Sequence, residues 1–334
     1  MTSQNVSRRN RYRWADEAPG WAVLTAGAAG RRRWLRYWLS DTVSGLGDLV
    51  IHHVLRLCPI DVCSAVGGYL GRRTGRGSLA RKSRRARNLL AEMRPDMDDA
   101  ALDDAITGMW DCIGRTYTEF SVLERLGPAG RVAIEGSENL DLARAAGGPV
   151  LVVGVHLGNF ELCAAMVAAA GLAPWSVYQP PHSRFRHAIA RACRERAGLR
   201  LLPPGVRVAA AAMRVLKKGG CLCMGIDEHV NGRVYGPVLD RKLVPAGNIV
   251  FAARLALATG AVLVPVWCRR IGGAHFRVQF CAPVTLASAP GRRPSAATIG
   301  DAVTALDNVF RPILNDNLDQ WFMLHEVTPD VDDG

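Results

Sequence analysis

His156 and Glu161 are the residues whose types and spacing point most directly to chemistry, in the stretch Gly154-Val155-His156-Leu157-Gly158-Asn159-Phe160-Glu161. Pro149 to Val155 is apolar and β-branched, Gly158 and Asn159 are turn formers, and Leu162 to Ala170 is rich in alanine. The segment therefore reads as strand, turn and helix start. Were all of it helical, five residues would set the two side chains about 140° apart. With Asn159 as N-cap, His156 lies in the loop and Glu161 in the first helical turn. The carboxylate can then reach back to one imidazole nitrogen, fix the tautomer and leave the other nitrogen as a base. The competing reading is a structural histidine at a strand end and a glutamate that answers the helix dipole.

The elements around this stretch follow from hydrophobic periodicity. From about Arg131 short apolar runs alternate with amphipathic helices. Strands are predicted at 132–135, 149–155, 176–178, 199–202, 221–226, 261–268 and 276–280, and helices at 137–145, 162–170, 184–197, 206–217, 246–258 and 296–314. That alternation predicts an α/β fold, a mainly parallel central sheet flanked by helices. In such sheets chemistry gathers at the carboxyl ends of strands, and His156 and Asp227 both stand at predicted strand ends.

Before residue 131 the chain is helical in pattern and basic. With 334 residues and 49% hydrophobic content it can bury a substantial core, and its formal charge is +12. Residues 1–36 carry net +6 and residues 72–87 net +8, so the remainder is net −2. Two basic blocks suit a polyanionic surface, phospholipid headgroups or nucleic acid. No aromatic residue lies between 72 and 87 and no nucleic-acid-binding motif is present, which favours the lipid surface. Trp34, Tyr37 and Trp38 beside Arg36 suit an interfacial helix, as they equally suit a helix packing its aromatics on its own domain. The best candidate for a spanning helix, 49–70, is interrupted by His52, His53, Arg56, Pro59 and Asp61.

Other classes are disfavoured. Nine cysteines without a CxxC pair read as reduced, buried thiols, with no zinc-type ligand set. No Gly-x-Ser-x-Gly nucleophile elbow and no Gly-x4-Gly-Lys-Ser/Thr phosphate loop occur. The predicted division is a poorly ordered leader at 1–33, a helical, basic, membrane-interfacial segment at 34–130, a catalytic α/β domain at 131–328 and a tail at 329–334.

Read together, Gly147-Gly148-Pro149-Val150-Leu151-Val152-Val153 and His156-Leu157-Gly158-Asn159-Phe160-Glu161-Leu162 resemble the central signature of the bacterial lauroyl/myristoyl (lipid A biosynthesis) acyltransferases, whose broader relatives carry His-x4-Asp/Glu. Further fragments agree in order: Ala86-Arg87-Asn88-Leu89, Tyr178-Gln179-Pro180, Arg194 with Gly198, Leu216 to Gly220 followed by Asp227-Glu228, Gly260-Ala261 with Val264-Pro265-Val266, and Gln320-Trp321-Phe322 with His325. The resemblance covers roughly residues 40–328. It implies acyl transfer from an acyl carrier protein or coenzyme A thioester, as co-substrate and with no resident cofactor or metal, to a hydroxyl of a membrane lipid or glycolipid. It also implies a place at the cytoplasmic face of the bacterial inner membrane.

On that reading His156 is the general base and Glu161 orients it. Free N–H groups at Gly158 and Asn159 would meet an oxyanion or a phosphate. Arg194 would meet a phosphate or the developing charge, and Asp227 and Glu228 would shape the pocket wall. Two departures stand out: Asp227-Glu228-His229 where the family usually has Asp-Gln-Asp, and Pro237-Val238-Leu239 where it has an aromatic pair before a glycine. They leave another glycolipid or an aminolipid open as acceptor, and His229 open as a second base or a loop substitution. A non-catalytic lipid-binding protein is the alternative of another class.

Overall fold

The computed structural model describes residues 18–181, 183–202, 205, 207–230, 233–237, 246–286 and 294–327. The chain opens with helices α1 (Trp21–Thr25) and α2 (Gly27–Leu35), a π-helical turn at Arg36–Ser40, α3 (Asp41–Leu57), α4 (Ile60–Arg76), α5 (Ala80–Met93), α6 (Asp99–Glu119) and a short α7 (Leu123–Leu126). Then follow β1 (Val132–Glu135), α8 (Ser137–Ala145), β2 (Val150–Gly154), α9 (Glu161–Ala169), β3 (Trp175–Ser176), α10 (Arg184–Arg196), β4 (Arg200–Leu201) and α11 (Val208–Lys217). The remainder is β5 (Cys221–Gly225), β6 (His229–Val230), β7 (Arg233–Val234), α12 (Gly247–Thr259), β8 (Val262–Gly272), β9 (His275–Phe280) and α13 (Ala296–Asn315).

Seven strands form one sheet in the order β1-β9-β8-β2-β5-β3-β4, and within it only β8 and β9 pair antiparallel. This is the expected α/β fold with a mainly parallel sheet. β2 sits at its centre, paired with β8 on one side and β5 on the other. Its side chains alternate between two cores: Leu151 and Val153 join the cluster with α5, α6, α12 and α13, whereas Val150 and Val152 join the cluster with α8 and α9. A strand covered on both faces reads as a continuous apolar run, which is why Pro149 to Val155 lacks polar alternation.

The N-terminal helices dock through close backbone contact. On α4, Gly67, Gly71 and Gly75 recur every four residues and face α6. A Cβ on Gly71 would lie 2.0 Å from the Trp110 carbonyl oxygen, and one on Gly67 would lie 2.4 Å from that of Gly114. Residues 21–25 and 27–33 are helical where a poorly ordered leader was expected, because Ala- and Arg-rich sequence is a good helix former and Trp21 packs on Trp34 at 5.2 Å. Residues 1–17 lie outside the described residues. Asp98 caps α6 by accepting the Ala101 N–H at 2.8 Å. No described helix is long and apolar enough to cross a membrane.

The glycine ridge makes a contrast testable. Gly71→Ala should destabilise by about 1–3 kcal/mol, because α4 must move off α6. Gly47→Ala, in the middle of α3 with open space around it, should be neutral or stabilising by about 1 kcal/mol. Chemical denaturation midpoints check both. Equal effects at the two sites would show that the close approach is not what holds α4.

Candidate active site

β2 ends at Gly154, and two residues later the imidazole of His156 stands at the carboxyl edge of the sheet, beside the end of β5. It lies against Gly225: a Cβ there would come within 2.7 Å of His156 Cε1, so β5 can carry no side chain at this point. Just beyond, Asp227 is fully buried and its carboxylate accepts three hydrogen bonds. His156 Nδ1 approaches Oδ1 at 2.7 Å, the His156 backbone N–H donates to Oδ2 at 2.8 Å, and Trp321 Nε1 donates to Oδ2 at 2.8 Å. Main chain and ring of His156 are thus held by one carboxylate. With Nδ1–H committed to Asp227, Nε2 is the nitrogen left to take up a proton. Burial pushes the imidazole pKa down, but the charge and hydrogen bond of Asp227, aided by Glu228 and Glu161, outweigh it and lift it to about 9.

Glu161 does not orient His156. Arg194 on α10 holds it at both oxygens, Nε to Oε2 at 3.0 Å and Nη2 to Oε1 at 2.5 Å. Both side chains are largely buried, 9% exposed for Glu161 and 16% for Arg194. The reach-back predicted from an Asn159 cap fails because the helix begins at Glu161 itself, so its side chain leaves the first turn toward α10. Arg194, in turn, is engaged as a fork on a carboxylate and not turned to a phosphate. Burial opposes its charge, and Glu161 more than compensates, so its pKa is raised.

Gly158 and Asn159 also differ from expectation. The Gly158 N–H donates to the Gln320 carbonyl at 3.2 Å, and its carbonyl accepts from Thr116 Oγ1 at 3.1 Å. Gly158 has φ +58°, and a Cβ would lie 2.5 Å from the Cys268 carbonyl oxygen, so both conformation and space call for glycine. Asn159 is buried, and its Nδ2 donates to Glu119 Oε2 at 3.0 Å. Glu119, with no exposed surface, pairs bidentately with Arg270 of β8 at 2.6 and 2.8 Å. Gln320 exchanges two hydrogen bonds with the Arg270 backbone, at 2.8 and 3.0 Å. The loop after His156 is therefore clamped by α6, β8 and residues 318–321, and the N–H of Gly158 is engaged within the fold.

Glu228 Oε2 lies 3.7 Å from His156 Nε2. His229 begins the β6–β7 hairpin, and its side chain, like Val238 and Leu239, lies outside the described residues. Phe160 meets the His156 ring edge-on at 4.4 Å between centroids, and the Phe322 N–H donates to the His156 carbonyl at 2.8 Å. Residue chemistry alone missed Trp321, Phe322, Glu119 and Arg270. The only signal for the first two was their place in the resemblance, and nothing local marked Glu119 or Arg270 as partners across a long separation in sequence.

A buried carboxylate orienting a histidine at the strand edge can serve many reactions. The sequence profile for bacterial lipid A biosynthesis acyltransferases matches residues 28–327, nearly the whole chain. The chain belongs to that family. No curated protein sequence matches it. As a lipid A biosynthesis acyltransferase it is an enzyme that moves an acyl group from a donor to a lipid acceptor. A hydroxyl nucleophile for such a transfer needs a base held in one tautomer, the arrangement that Asp227 imposes on His156.

Asp227→Asn should lower kcat/KM by about 10²–10⁴-fold and move the ascending limb of the pH profile, along which the base loses its proton and which is set near 9 in the unliganded protein, to lower pH. Glu161→Gln should mainly cost stability, about 3 kcal/mol as Arg194 loses its counter-charge, and move that limb less. A larger pH shift in Glu161→Gln than in Asp227→Asn would overturn the assignment of the orienting role to Asp227.

Proposed function

We propose that His156 is the general base of an acyl transfer from an acyl carrier protein or coenzyme A thioester to a hydroxyl of a membrane lipid or glycolipid acceptor. The single observation that carries this reading is the 2.7 Å contact of His156 Nδ1 with buried Asp227, which leaves Nε2 to receive the hydroxyl proton. As the hydroxyl oxygen bonds to the thioester carbonyl carbon, its proton passes to Nε2. Collapse of the tetrahedral adduct breaks the C–S bond, and the proton goes on to the departing thiolate. No covalent enzyme intermediate is needed. Arg194 and Glu161 hold α9 and α10 in register around the site.

We further propose that α3 and α4 lie on the membrane at its cytoplasmic face. Exposed Val43, Leu46, Val50, Val54 and Leu57 recur at helical spacing on α3, and exposed Val62, Val66, Tyr69 and Leu70 do so on α4. Contiguous exposed apolar side chains of this extent suit an interface more than water. The α4 stripe runs into a cleft of about 750 Å³ lined by Tyr69, Leu70, Arg72, Arg73 and Arg76, a setting for anionic headgroups at the rim of an inserted apolar face.

The decisive assay is thioester consumption with acyl carrier protein and coenzyme A donors and lipid extract, the product identified by mass spectrometry. His156→Ala should lose about 10²–10⁴-fold of wild-type turnover. Equal turnover in the two would end the base assignment. Val50→Asp with Val54→Asp should weaken liposome binding, and anionic vesicles should bind more tightly than neutral ones, less so as salt rises. Binding indifferent to lipid charge, salt and both substitutions would remove the membrane role.

A further inference from the structure

The nitrogen of His156 that faces away from Asp227 looks at a second carboxylate. At 3.7 Å, Glu228 Oε2 is too far from Nε2 for a hydrogen bond, yet near enough for two neighbouring polar atoms of one ligand to address both groups. The Glu228 side chain is 30% exposed, and among the described residues no lysine or arginine pairs with it. Two arginines of the described site are committed: Arg194 holds Glu161 at both oxygens, and Arg270 holds Glu119 in the same way. Among the described residues, two aromatic rings stand about the imidazole. Phe160 packs edge-on against it, and Phe322 is edge-on to Phe160 at 5.6 Å and lies 6.5 Å from the imidazole. An acceptor phosphate in this place would face Glu228 with no cation among the described residues to answer it, whereas a cation would gain both the carboxylate and the neighbouring aromatic rings.

We propose that the acceptor carries a protonated amine beside the hydroxyl that receives the acyl group, with Glu228, Phe160 and Phe322 seating the ammonium so that the hydroxyl meets His156 Nε2. This rests on the acyl-transfer reading above and names the class of acceptor. A vicinal amino alcohol presents its two polar atoms on adjacent carbons, a separation that suits the gap between the carboxylate and the imidazole. The transfer itself is unchanged: the hydroxyl proton goes to Nε2, the C–O bond forms, the C–S bond breaks, the thiolate leaves with the proton, and the ammonium stays intact. The arrangement also prepares the base. Among the described residues, Asp227 and Glu228 beyond the end of β5, and Glu161 on α9 with Arg194 of α10 on it, are the charged groups about the imidazole. An ammonium against Glu228 offsets one of the carboxylates that keep His156 protonated and sets a positive charge near Nε2. The imidazole then gives up its proton and becomes a base when the right acceptor binds; an anionic headgroup would do the opposite.

The test uses the full chain in mixed micelles with acyl carrier protein and coenzyme A thioesters and three acceptors: a long-chain 2-amino-1,3-diol, its N-acetyl derivative, and a phosphorylated disaccharide lipid. Wild type should esterify the aminodiol with kcat/KM at least about tenfold above the other two, the effect of one well-placed charge pair. In Glu228→Gln the ratio of aminodiol to N-acetyl rates should fall by about the same factor, and the ascending limb of the pH profile should move to lower pH. Equal use of aminodiol and N-acetyl diol by wild type, preference for the phosphorylated lipid, an amide product, or an unchanged ratio in Glu228→Gln would each overturn the proposal. His156→Ala separates the two levels. Turnover that depends on His156 with the wrong acceptor preference overturns only the ammonium site, while no His156-dependent turnover with any acceptor overturns the acyl-transfer reading and this one with it.

Discussion

The buried carboxylate of Asp227 is the constraint on which the site depends. It gathers three donors from two distant parts of the chain: ring and backbone of His156 after β2, and the indole of Trp321 after α13. A fully buried carboxylate with fewer partners would be costly. Its burial and its three hydrogen bonds thus imply one another, and the imidazole orientation comes as part of the same solution. The pairing of Gly154 with Gly225 brings the two strand ends level, so that His156, two residues past β2, and Asp227, two past β5, can meet.

Around this point the protein uses buried ion pairs as braces. Glu161 with Arg194 ties α9 to α10, and Glu119 with Arg270 ties α6 to β8 while holding Asn159 of the intervening loop. α10 also reaches back to the N-terminal region. Arg184 donates to the Tyr37 carbonyl and to Thr42, Arg186 pairs with Asp48, and Phe185 fills the space left by Gly45. One helix therefore contacts both the segment with the exposed apolar face and the glutamate next to the histidine loop. The nine cysteines take no part in such braces: seven are buried and two partly so, and none forms a disulfide.

The fold was legible because it rests on local periodicity. The strands at 132–135 and 276–280 and the helices at 137–145 and 184–197 lie within a residue or so of where apolar runs and glycine stops put them. What escaped was the short β6–β7 hairpin, whose two-residue strands leave too few positions for alternation to register, and the helices of 21–35. In the site, sequence marked His156, Glu161, Arg194 and Asp227 but paired them wrongly. Closeness in sequence favoured Glu161 as the partner of His156, whereas sheet register brings Asp227 there and sends Glu161 to Arg194. The glycines carried two meanings that sequence cannot separate: Gly158 is needed for a left-handed turn and for a close carbonyl, Gly225 only for room beside the imidazole.

Trp321 gives the site a direction in time. During synthesis the strand bearing His156 emerges first, then Asp227, and only after α13 the indole that completes the carboxylate's set of donors, together with the segment that pairs Leu157 with Trp321. Domains form from the N-terminus as the chain lengthens, but contacts of such sequence separation wait for the late residues. The helices of the first hundred residues are thus already made while the histidine still lacks its final support. The Asp227 carboxylate thus gains its full set of donors last of all the parts of the site.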